Sequence, residues 1–128
     1  MIKAVNDKLG VGMHLHVERN CIYKEGIICQ LFKKGDYQAI NKQLKKYREG
    51  KFPENYGMCE CTIIITDIKN RHAKKILDDW WVEYYSSLSK RDQLALPYVL
   101  WKEGITIEEI GTLGRNLYKN PKFRVDTH

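Results

Sequence analysis

The feature that most constrains this chain is the run Cys59–Thr66, in which Thr62, Ile63, Ile64, Ile65 and Thr66 follow one another without a break. Branching at Cβ leaves these side chains stiff and favours a pleated strand over a helix. A continuous apolar run of this kind predicts a strand covered on both faces. With 128 residues, the chain has room for one domain, 1–128, built on one core. The only other strand signal is Val11 to His16.

The rest reads as helix. A helix is predicted from Asn20 to Phe32, ended by Lys33-Lys34-Gly35. Asp36 is placed to cap a second, whose buried stripe is Tyr37, Ile40, Leu44 and Tyr47, with Gly50 closing it. Phe52-Pro53-Glu54-Asn55-Tyr56-Gly57 reads as a loop. Asn70 opens a helix carrying Ile76, Leu77, Trp80, Trp81 and Tyr84. Ser89 with Asp92 has capping-box spacing for a helix to about Lys102, kinked at Pro97. Thr106 and Glu109 repeat that spacing before a tail ending Phe123 to His128. The fold class is α/β or α+β, helix-rich, with few strands. Two strands are a thin sheet for so many amphipathic helices, so either short segments pair in ways the pattern does not reveal or part of the sheet belongs to a missing region. An exposed sheet edge of that kind favours a homodimer that covers it.

Charges interrupt every apolar segment, and Met1-Ile2 is followed by Lys3 and Asp7 without a signal-like apolar stretch. The expected location is therefore cytoplasmic, with no transmembrane segment and with Cys21, Cys29, Cys59 and Cys61 as reduced thiols. The formal charge of +6 is spread along the chain. Lys42, Lys45, Lys46 and Arg48 share a helix with an apolar stripe, the pattern of a solvated face rather than of a nucleic-acid surface.

Three clusters resemble one family. The first contains His16, Arg19, Cys21, Ile22, Tyr23 and Glu25. The second contains Gln43, Tyr47, Arg48, Gly50, Phe52, Pro53, Gly57 and Glu60, with Lys51 as an extra residue inside its Gly-Phe-Pro element. The third runs from Trp80, Trp81 and Glu83 through Ser89, Arg91, Asp92, Gln93 and Leu94 to Tyr98, Trp101 and Lys102. Their order and spacing resemble a glycosyltransferase-like family, long catalogued as a domain of unknown function, of bacterial polysaccharide clusters and plant Golgi proteins. Lys24 stands where that family usually has a second Glu, and Ala95-Leu96 replaces a usual Ser-Phe.

The resemblance implies a GT-A-like fold, of which this chain would be the C-terminal, acceptor-side half with a small sheet. The function it implies is transfer of a sugar from a nucleotide sugar to a saccharide acceptor in polysaccharide synthesis. It also implies a divalent cation, Mn or Mg, because the leaving diphosphate develops charge that a metal neutralises. The Asp-x-Asp element that would hold the cation is not found; Asp78-Asp79 are adjacent and sit within a predicted helix. The expectation is a chain incomplete on its own, with the nucleotide-binding half upstream of Met1.

The resemblance makes Asp92 and Gln93 the catalytic candidates, at a helix start that lines the sugar and acceptor pocket. A carboxylate there orients or deprotonates an acceptor hydroxyl within hydrogen-bond reach; equally, Asp92 completes a capping box with Ser89. Arg91 and Arg19 offer planar forks for a phosphate or sugar carboxylate, or form structural ion pairs with Glu25 or Glu60. Glu25, Glu60 and Tyr98 are further substrate-binding candidates, and His16 is the candidate metal ligand. Trp80 reads as core, whereas Trp81, Trp101 and Tyr98 are open between core and sugar stacking.

Two alternatives remain. One is a non-catalytic remnant or interaction module. The other is a small zinc-stabilised or nucleic-acid-binding domain, since His14-x-His16 and Cys59-x-Cys61 each place two ligand-type residues on one strand face.

Overall fold

The computed structural model describes residues 8–16, 20–33 and 36–114. The described elements run β1 (Val11–Leu15), α1 (Ile22–Leu31), α2 (Tyr37–Glu49), β2 (Cys59–Thr66), α3 (Arg71–Ser87), α4 (Asp92–Lys102) and α5 (Ile107–Ile110). This is an α+β arrangement, helix-rich as the sequence predicts. The predicted tail lies outside the described residues.

β1 and β2 pair antiparallel, with Val11 opposite Thr66, Gly12 opposite Ile65, His14 opposite Glu60 and Leu15 opposite Cys59. The register slips between Gly12 and His14, so the middle of β2 bows out of the ladder. On its other edge β1 is met by the chain after α5: Leu113 N–H donates to Met13 O (3.2 Å) and Leu15 N–H donates to Gly114 O (2.8 Å). The prediction that β2 is covered on both faces is corrected. Ile64 is 40% exposed and Ile63 and Ile65 are only half-buried, so burial falls off along the second half of β2 although Cys59 at its start is buried.

Helix starts follow local chemistry. Asp36 accepts from the amides of Gln38 (3.0 Å) and Ala39 (3.2 Å), and Asn70 from those of His72 (2.8 Å) and Ala73 (3.2 Å). Thr106 and Glu109 form the reciprocal capping box that opens α5. On α2, Ile40, Leu44 and Tyr47 are buried as predicted, while Tyr37 is 48% exposed at the first turn. Gly26 lets α1 approach α2 closely, since a Cβ there would collide with the Leu44 side chain.

Two hydrophobic clusters share α4. The first joins Val11, Met13, Cys59, Ala73, Ile76 and Trp80 to Ala95, Leu96 and Leu100. The second joins Ile22, Tyr23, Ile40, Leu44, Tyr47 and Phe52 to Leu94 and Tyr98. Every residue from Leu94 to Leu100 is buried, Pro97 included. Pro97 withholds the N–H that would bond the Gln93 carbonyl in a regular helix.

Phe52, in the segment read as a loop, is 5% exposed and lies among Tyr23, Tyr47, Tyr56, Tyr98 and Trp101, with ring centroids 5.4–6.2 Å away. Offset and edge contacts of this kind add to the burial term.

Two outcomes follow. Leu96 is fully buried at the shared helix, so Leu96→Ala is expected to cost about 2–5 kcal/mol in chemical denaturation. Leu88 is 69% exposed and sits at φ 61°, in the left-handed region that penalises a Cβ. Leu88→Gly is therefore expected to stabilise the fold by about 1 kcal/mol, read as a raised thermal midpoint.

Candidate functional site

The turn from α3 into α4 is built on a buried serine between two left-handed residues. Leu88 has φ 61°, Lys90 has φ 59°, and Ser89 between them is fully buried. Non-glycine residues in this region cost on the order of 1 kcal/mol each, so surrounding contacts must hold them. Ser89 supplies such contacts: its Oγ accepts from Arg91 N–H (3.3 Å) and lies 3.3 Å from Ser87 Oγ.

The expected Ser89–Asp92 capping box is therefore corrected. Arg91, not Ser89, is the residue preceding the helix, and no side chain caps it. Ser89 turns its oxygen to the amide two residues on, a local alternative open to short hydroxyl side chains. Asp92 becomes the first residue of α4. Among the described residues its carboxylate accepts no hydrogen bond, and the residue is exposed. Its carbonyl accepts from Trp80 Nε1–H (3.0 Å), which fastens α3 to the start of α4.

Asp92 opens onto a cleft of about 460 Å³ lined by Leu77, Trp80, Trp81, Tyr84, Lys90 and Asp92. Trp80 is 8% exposed and belongs to the core, as the sequence predicts. Trp81 is 63% exposed, with its ring 6.0 Å from that of Tyr84 at an interplanar angle of 29°. Tyr85, itself 69% exposed, lies 6.1 Å from Trp81 on the outer side. The cleft thus combines exposed aromatic faces, a carboxylate and an ammonium.

Beside it, Gln93 Nε2 donates to Glu60 Oε1 (3.1 Å), so α4 is hydrogen-bonded to β2 by two of the predicted site residues. Across the ladder from Glu60 lies His14, fully buried. Burial pushes the His14 imidazole below its ordinary pKa, with the Glu60 charge acting in the opposite direction. Arg91 is half-buried; its Nε is buried without an acceptor, and among the described residues no side chain pairs with its guanidinium. The Cys61 thiol is pushed well up, first by burial and then by the Asp92 charge, while Arg91 acts the other way. It therefore lies within the electrostatic reach of both.

The other predicted residues do not line the cleft. Glu25 is 2% exposed on α1 and lies 3.8 Å from Cys29 Sγ, within the hydrogen-bonding range of a thiol. Tyr98 is 7% exposed, and its ring stacks on Tyr47 at 4.0 Å and 15°. That ring belongs to the core rather than to an open sugar site. His16 is 7% exposed and continues the ladder through its N–H to Met58 O (2.9 Å). Arg19 lies outside the described residues.

Among the described residues no three His, Cys, Asp or Glu side chains gather to hold a metal ion. The zinc arrangement is corrected by the register. Leu15 stands opposite Cys59, so His14 and His16 lie on one face of the sheet and Cys59 and Cys61 on the other.

Sequence reasoning singled out Asp92 but not Lys90, and it left Trp81 open. A usable signal was present: Trp80, Trp81, Tyr84 and Tyr85 are more aromatics than one buried helical stripe accommodates, so some must face outward.

The His14 environment generates a pH prediction. Its pKa is lower folded than unfolded, so its contribution to stability is present above the unfolded value of about 6.5. That contribution is lost as pH falls from there toward the folded pKa. Thermal midpoints are expected to drop between about pH 7 and pH 5, and less so in His14→Gln.

No helix among the described residues is long and apolar enough to cross a membrane. In comparisons with known proteins, no family model, no curated protein and no solved structure matches the chain.

Proposed function

We propose that the chain binds a saccharide in the cleft between α3 and α4, and that it serves glycosyl transfer from the acceptor side. The observation that carries this reading is the placement of the Asp92 carboxylate, without a protein partner among the described residues, in one cleft with the exposed Trp81 and half-buried Tyr84 rings. Sugar rings present an apolar C–H face and a hydroxyl edge. An exposed aromatic face takes the first, and a carboxylate takes the second by accepting a hydroxyl proton. Apolar walls with a few placed polar groups are what small-ligand sites generally show.

In the transfer reaction Asp92 would accept the hydrogen bond of the attacking hydroxyl, raising its nucleophilicity as the bond to the donor sugar breaks. Gln93 acts through Glu60: its amide holds the first turn of α4 against β2 and so sets where Asp92 points. The sequence resemblance to a glycosyltransferase-like family supports the same reading. The donor sugar and its diphosphate would be held by groups beyond those described.

The test is a titration of the full chain with oligosaccharides, both neutral and acidic, followed by amide and indole NMR signals. The expected result is a saturable shift of the Trp81 indole and of the amides from Lys90 to Gln93. Trp81→Ala is expected to weaken binding by about tenfold or more, and Asp92→Asn by a similar factor, since each removes a contact of roughly 1–2 kcal/mol. Unmoved Trp81 and Asp92 signals across the whole panel would sink the reading.

A further inference from the structure

The helix pair α1 and α2 presents apolar and cationic side chains together, away from the cleft. On α1, Lys24, Ile27 and Leu31 recur at three- and four-residue spacing and so share one face. All three are exposed, Ile27 at 57% and Leu31 at 70%. Phe32 (68% exposed) and Lys33 follow at the end of the helix. The packed side of α1 is the other one, through Ile22, Tyr23 and Cys29.

α2 sets a cationic row beside this apolar one. Ile27, Gln30, Asn41, Lys45 and Arg48 line a groove of about 350 Å³ between the two helices, so an exposed aliphatic side chain and two cations share one surface. Acids do not answer these charges. Glu25 is buried, Asp36 caps α2, and Glu49 ends it. Lys46 pairs with Glu83, whereas Lys24, Lys33, Lys42, Lys45 and Arg48 have no ion pair among the described residues. On α3 the ordinary solvated pattern holds instead: Lys74 pairs with Asp78 and Lys75 with Asp79, each at 2.7 Å.

From this juxtaposition we infer that the α1–α2 face docks on an anionic lipid surface. Ile27, Leu31 and Phe32 enter the boundary between headgroups and acyl chains, while Lys24, Lys33, Lys45 and Arg48 stay at the level of the anionic headgroups. A bilayer offers an apolar phase and negative charge in one fluid plane, so side chains standing out from a helix end need no shaped pocket. Nucleic acid would meet the cations but give Ile27 and Leu31 no apolar surroundings. A second copy seated face to face would bring like charges together. The contact is peripheral, with α1 lying in the plane of the interface and its inner side still packed on the fold.

The experiment is co-sedimentation of the full chain with phosphatidylcholine vesicles, with and without phosphatidylserine. Binding is expected to be more than about tenfold tighter with phosphatidylserine and to weaken as salt is raised. Lys24→Gln and Lys45→Gln are each expected to weaken it about fivefold, the worth of one lysine near such a surface. Ile27→Ser combined with Leu31→Ser is expected to weaken it about tenfold or more at unchanged charge, which adsorption by charge alone would not do. Both positions are exposed, and an unchanged thermal midpoint checks that the variant is folded. Lys74→Gln, on α3, should leave binding as it was.

Failure of the folded chain to sediment with phosphatidylserine vesicles would overturn the inference. So would binding that is indifferent to Ile27→Ser with Leu31→Ser. Tighter binding to a short RNA or DNA duplex than to vesicles, lost in Lys45→Gln, would give the face to nucleic acid instead. A dimer in solution that dissociates on Leu31→Ser would give it to self-association, and either result overturns the lipid assignment.

Discussion

The structure depends on burying α4 on more than one side. From Leu94 to Leu100 every side chain is removed from solvent, and the helix contributes to both hydrophobic clusters. Leu96 and Leu100 complete the cluster formed with the sheet and α3, while Leu94 and Tyr98 complete the one formed with α1 and α2. A helix used this way cannot be amphipathic in the ordinary sense. It also cannot move without disturbing both clusters, which makes its first turn a firm base for a site. Asp92 begins that turn, and the Trp80 indole fastens it from α3 at 3.0 Å.

Polar contacts set the angles between elements that apolar packing leaves loose. Gln43 donates to Tyr47 Oη (2.7 Å), Tyr47 donates to Glu83 (3.0 Å), and Lys46 pairs with Glu83 at 3.1 Å, linking α2 to α3. Burial pushes the Tyr47 hydroxyl far above its ordinary pKa, so it stays a donor to Glu83. Gln93 with Glu60 links α4 to β2 in the same manner. Apolar contact is non-directional, whereas these bonds are lost on a small misorientation. They hold α3 in the position that leaves its Trp81 face open beside Asp92.

Legibility in the sequence followed the range of the forces involved. The caps at Asp36, Asn70 and Thr106 were readable because a side-chain oxygen and the amides it serves lie within a few residues. Ser89 had the same signature and formed a different local bond, because the chain there must turn sharply between two packed helices. The two-sided cover expected for β2 did not form, since its isoleucines reveal their hydrophobicity but not how many helices reach them. Tyr98 was open between core and pocket and is a core residue, and its stacking partner Tyr47 lies too far along the chain for a local pattern to show the contact. The pairs His14-x-His16 and Cys59-x-Cys61 do stand on neighbouring strands, but the one-residue offset in register puts them on opposite faces.

What the sequence determined by itself is the set of elements and most of their ends. Propensity, periodicity and capping act over a turn or two of chain, and residue order is enough to express them. Only the tertiary structure decided that α4 is shared by two clusters and that Asp92 is not consumed by a cap. It alone set Trp81 outward beside Lys90 and left the half-buried Arg91 with a Nε that has no acceptor among the described residues. Those outcomes depend on which surfaces of distant segments meet, and burial is decided by three-dimensional competition for a limited interior, which no local pattern records.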